Sequence, residues 1–102
     1  MSLQEAIDST IASLQASLDG YLAEDVYLEQ QVMLLTELRN RCLRRMYSGF
    51  TNTHETFLKN KKTFEASERA IAKIAVRRRE IECHILPINA KIIDFLKLKI
   101  SF

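Results

Sequence analysis

Turn-forming residues are nearly missing from this chain of 102 residues: glycine occurs at Gly20 and Gly49, and proline only at Pro87. So few breakers leave room for few connections, and they point to a small number of long helices. Cysteine is scarce as well. Cys42 and Cys83 stand far apart with no CxxC spacing, which excludes a disulfide framework and leaves reduced thiols as the simpler reading. Tryptophan is absent and aromatics make up 8% of the chain, as suits a thin helical seam rather than a broad core. The longest apolar runs, such as Val32–Leu35, fall far short of the roughly 20 residues a membrane-spanning helix needs. Residues 1–20 lack the basic start and apolar stretch of a secretory signal. The expectation is a soluble intracellular protein of the cytoplasm or nucleus.

Catalytic signatures are missing too. There is no glycine-rich phosphate loop, no nucleophile elbow and no HExxH. The acid pair Glu24-Asp25 sits in a helical pattern that offers no pocket to raise a carboxyl pKa. Cys42, His54, Cys83 and His84 carry ligand chemistry, but a hairpin sends residues 42 and 83 toward opposite ends. Tetrahedral zinc needs four converging ligands. Cys42 therefore reads as a small core residue and Cys83 as a surface thiol. No enzymatic activity, cofactor or metal is expected.

What the chain does have is periodicity. Ser2-Leu3-Gln4-Glu5 opens with a capping box, and one heptad frame then runs from residue 4 to residue 49 without a stutter. Its a positions run from Gln4 through Ile11, Leu18, Asp25, Val32 and Arg39 to Met46. Its d positions run from Ile7 through Leu14, Tyr21, Leu28, Leu35 and Cys42 to Gly49. Ten of these 14 positions are apolar, which marks a coiled-coil type helix. Gly20 falls at an outward position with the phase unchanged on either side. A glycine there costs roughly 1 kcal/mol, so one helix over residues 3–47 is expected, about 65–70 Å long. Residues 48–52 form the bend, with Gly49 placed as helix terminator and Asn52 with Glu55 as the next capping box. A second frame follows in the helix expected over residues 53–96 and keeps its phase to the end of the chain, with a at Phe57, Phe64, Ile71, Arg78, Ile85, Ile92 and Lys99, and d at Asn60, Ser67, Ile74, Ile81, Ile88, Phe95 and Phe102. Pro87 lies off this seam and predicts a kink, or a new helix started with proline in its first turn. Residues 96–102 alternate with period two and read as a frayed end or an extended tail.

Two matched frames fold into a long antiparallel helical hairpin, an all-α fold. With a short bend, facing residues have numbers that total 99. That sets Cys42 against Phe57, Leu14 against Ile85, Arg39 against Asn60 and Tyr21 against Arg78. Tyr21, Asp25 and Arg78 then form a polar core that fixes register. A slip of one heptad, with totals of 106 and a longer loop, also matches apolar to apolar.

Apolar residues lie off the seam as well: Leu22, Val26, Met33, Leu34, Leu38 and Leu43 on the first helix, and Leu86, Ile93 and Leu96 on the second. A helix that is apolar on most sides needs more than one neighbour. These positions are the expected oligomer or partner interface, giving a four-helix bundle as a homodimer or with another helical chain. Leu28–Leu35 should be the most enclosed stretch of the first helix.

Charge is segregated along the chain. Residues 1–38 hold seven acids and no Lys or Arg, while residues 39–102 hold all 15 basic residues and six acids. Antiparallel helices of opposite charge attract each other, which accounts for the pattern without a partner. Arg39, Arg41, Arg44, Arg45, Lys59, Lys61 and Lys62 cluster near the bend as a basic tip. The reading that follows is a non-enzymatic interaction or scaffold subunit that presents helix faces to protein partners. The alternatives are nucleic-acid or anionic-membrane binding through the tip, which is not favoured, and a chaperone or adaptor for another helical protein.

Overall fold

The computed structural model describes residues 2–49 and 53–101. Two helices account for the chain, α1 at Leu3–Met46 and α2 at His54–Ile100, and they form an antiparallel helical hairpin. No strand occurs among the described residues.

Each helix starts where its sequence provides a cap. The Ser2 hydroxyl accepts from the Glu5 amide at 3.1 Å, and the Ser2 amide donates to Glu5 Oε2 at 3.4 Å. That is the reciprocal box expected at the start of α1. The Asn52–Glu55 box falls partly outside the described residues. Thr53 is the observed cap of α2, its Oγ1 accepting from the Thr56 amide at 3.1 Å. Gly20 is helical, so α1 is one helix. Gly49 is not the left-handed terminator the sequence suggested, since its φ is not positive. The end of α1 instead tightens through the Ser48 amide, which donates to the Arg45 carbonyl at 3.3 Å.

α2 passes through Pro87 as a single helix, so no new helix begins there. Proline removes the amide that would donate to the Cys83 carbonyl, a local cost that a long packed helix absorbs. The alternating C-terminal residues are neither extended nor frayed before Ile100. They remain helical, and the Ser101 hydroxyl donates to the Lys97 carbonyl at 3.0 Å.

The seam forms at the a and d positions. Every one of them from Ile7 to Met46 and from Phe57 to Lys99 is buried or half-buried. The most enclosed are Ile7, Leu18, Cys42, Met46, Ser67, Ile81 and Ile92. Leu28, Val32 and Leu35, expected to be the best enclosed, are half-buried. A single neighbouring helix covers one side of them only, and that expectation counted on a second molecule.

The paired helices divide into two compact units, one of Met1–Val26 with Arg78–Phe102 and one of Tyr27–Arg77. In the first unit, Lys99 meets Asp8 at 2.7 Å, Tyr21 stacks on His84 with centroids 5.1 Å apart, and Arg78 meets Asp25 at 2.9 Å. These pairs total 107, 105 and 103. In the second unit Arg39 meets Glu68 at 3.6 Å, a total of 107. The register expected from a short bend, with totals of 99, is therefore incorrect, and the one-heptad slip to 106 is the observed pairing. Arg39 pairs with Glu68 and Tyr21 stacks on His84, where the short-bend register had set Arg39 against Asn60 and Tyr21 against Arg78. The apolar pattern repeats every seven residues and cannot distinguish the two registers. The slipped one also brings Asp8 to Lys99 and Arg39 to Glu68, and the residues between Met46 and His54 are enough to make the longer connection.

Candidate interaction surface

Three sets of residues stood out in the sequence, and the structure places each of them. The register-setting group resolves into two contacts. Arg78 Nε donates to Asp25 Oδ1 at 2.9 Å and Arg78 Nη2 to Asp25 Oδ2 at 3.4 Å, a two-pronged ion pair across the seam. Tyr21 does not join it. Its ring lies nearly parallel to His84, with 9° between the planes. Nothing in the spacing pointed to His84, because that contact depends on the slipped register.

The hydrogen bond from Arg78 holds the Asp25 carboxyl below its ordinary pKa, against the upward push of burial, and the Arg78 charge adds to the lowering. A depressed carboxyl pKa gives stability that is present above the unfolded value, near 3.9, and lost as pH falls through the folded value. Urea midpoints recorded from pH 6 down to pH 2 should thus fall less for Asp25→Asn than for the wild type. Parallel curves for the two proteins would contradict a coupled Asp25.

The basic set lies in the second unit. Arg41, Arg44, Arg45, Lys59, Lys61 and Lys62 are exposed, while Arg39 is half-buried and paired with Glu68. A register of 106 sets Arg44 and Arg45 level with Lys62 and Lys61. The register expected from a short bend would have set them level with Glu55 and His54. The cations of both helices thus fall at the same levels of this unit and add to its positive potential.

The third set is apolar and exposed. Leu22, Val26, Leu86, Ile93 and Leu96 in the first unit, and Met33, Leu34, Leu38 and Leu43 in the second, all lie on the surface. Met33 is 67% exposed and Leu34 60%, beside a shallow groove of about 500 Å³ lined by Val32, Thr36, Glu37 and Asn40 along with them. A second groove of about 330 Å³ is lined by Ser17, Gly20, Tyr21 and Glu24. Sequence reasoning missed Tyr27, Leu98 and Ile100 as exposed apolar residues. Ile100 stands seven residues beyond Ile93, and treating the tail as helix was the signal that would have found it.

Cys42 is buried and Cys83 exposed, both as free thiols. Among the described residues, no three His, Cys, Asp or Glu side chains converge as metal ligands. No described helix is long and apolar enough to cross a membrane. No protein family, curated protein or solved structure matches this chain.

The area left open is large. The chain exposes 7618 Å², whereas a compact monomer of its 11.8 kDa exposes about 5,900 Å². The excess, about 1,700 Å², is of the order of the total area buried in a standard protein–protein interface. What this arrangement offers chemically is helix packing: apolar side chains at helical spacing, flanked by charges, without a partner inside the chain.

Proposed function

We propose that this protein is a non-enzymatic interaction subunit, a helical hairpin that assembles with other helices through the apolar side chains outside its seam. The observation that carries the reading is the exposure of all nine off-seam residues from Leu22 to Leu96 on helices whose inner faces are already paired. Soluble monomers rarely leave this many large apolar side chains open on paired helices, and helix bundles are the economical way to cover them. Protein partners made of helices fit such faces best, because they bring matching apolar stripes, and the reading requires that the chain itself oligomerise. Sedimentation equilibrium of the purified chain at micromolar concentration tests the reading. It predicts a dimer or larger assembly. A stable, fully helical monomer that persists as concentration rises would overturn it.

A further inference from the structure

The C-terminal part of α2 carries two seams. Ile85, Ile88, Ile92, Phe95 and Lys99 are buried or half-buried on the hairpin side. On the outer side, Leu86, Ile93 and Ile100 recur at seven-residue spacing, with Leu96 and Asn89 in the intervening seam positions. All five are exposed, Leu86 by 65% and Ile100 by 84%. A heptad stripe with no partner inside the chain is half of a coiled-coil interface.

We propose that the occupant of this stripe is a second copy of the chain, its α2 packed antiparallel to the first. The inference rests on the assembly reading above and names the partner. Two observations select it. First, the stripe is self-complementary when reversed. An antiparallel two-fold sets Leu86 of each copy against Leu96 of the other and exchanges Asn89 with Ile93, so one symmetric operation fills the central layers.

Second, the charges suit that direction. Glu82 precedes the stripe and Lys97 lies near its end, so antiparallel copies bring Glu82 of each toward Lys97 of the other, twice. Parallel copies would instead align Glu82 with Glu82 and Lys97 with Lys97, which is repulsive.

The test uses the full chain. Sedimentation equilibrium is run on the wild type, on Ile93→Glu and on Met33→Glu, which alters an exposed apolar residue of the other unit. Far-UV circular dichroism checks that each remains helical. The expected result is a wild-type dimer that Ile93→Glu weakens by about 30-fold or more, as for a central interface residue, and that Met33→Glu leaves intact. A nitroxide on the exposed thiol of Cys83 reads the direction in the unmutated dimer. Antiparallel copies hold the two labels roughly 25 Å or more apart, from eight residues of rise on each side of the axis. Parallel copies bring them to within about 15 Å, the spacing of neighbouring helices plus the label arms.

An assembly that keeps its affinity with Ile93→Glu, or a short Cys83–Cys83 distance, overturns this inference and leaves the assembly reading standing. A wild-type monomer overturns both. If Ile93→Glu loses its helical signal, the label distance in the wild type decides.

Discussion

Replacing Ile81 with alanine should cost about 2–5 kcal/mol of stability, the range for emptying an enclosed isoleucine site. Ile81 is 1% exposed, the most enclosed large side chain among the described residues. It sits at a seam position of α2, one turn from Arg78, and the observed register sets it level with Asp25. Two terms add when the side chain is cut back. The apolar transfer energy of the lost atoms disappears, and a cavity opens that the neighbouring half-buried ion pair cannot fill without shedding water. A small domain has about 5–15 kcal/mol in total, so the loss takes a large share of it. Ile81→Val, which removes one methylene, should cost about 0.5–1.5 kcal/mol. An exposed change such as Met33→Ala should stay within about 0.5 kcal/mol under conditions where the chain is monomeric. Denaturant midpoints, measured with equal slopes, give all three. A cost below about 1 kcal/mol for Ile81→Ala would mean that this position is not enclosed.

Much of this fold was legible in the sequence, and the reason is periodicity. Burial follows the a and d positions because only those side chains face the neighbouring helix when two long helices pair. Leu14, Tyr21 and Leu35 are covered, while Leu22, Met33 and Leu86 are open. The Asp25–Arg78 pair was readable for the same reason, two opposite charges standing on facing seams. Register was not readable from the apolar pattern. A heptad repeat is unchanged by a shift of seven residues, so Leu14 meets an isoleucine whether it faces Ile85 or Ile92. What distinguishes the alternatives is sparse polar information: Asp8 with Lys99, Arg39 with Glu68, and the Tyr21–His84 stack. Each is a pair many residues apart in sequence, and none has a local signature.

The ends of the helices were partly legible. Ser2 and Glu5 declared the cap of α1 because the box is a local motif. Gly49 misled because α1 closes before reaching it. The C-terminal residues misled through their alternation, which packing on α1 overrides. For the candidate interface, the sequence identified which side chains lie off the seam. It did not show that Leu86, Ile93 and Ile100 belong to one stripe, because that requires α2 to continue as helix to Ile100.

Register is the account's central structural claim, because it decides which residues share a level at the basic end and what Ile81 and Asp25 stand beside. Paired cysteines test it directly. In a Cys83→Ser background, Leu14→Cys is combined with Ile92→Cys in one protein and with Ile85→Cys in another. A disulfide needs Cα atoms within about 7 Å, whereas a one-heptad displacement along a helix is about 10 Å, so only one pair can close without moving the backbone. Both proteins are oxidised under native conditions and the mass of the monomeric product is read before and after reduction. Intramolecular closure is expected between positions 14 and 92 and none between 14 and 85. Closure between 14 and 85, with 14 and 92 left as thiols, would contradict it.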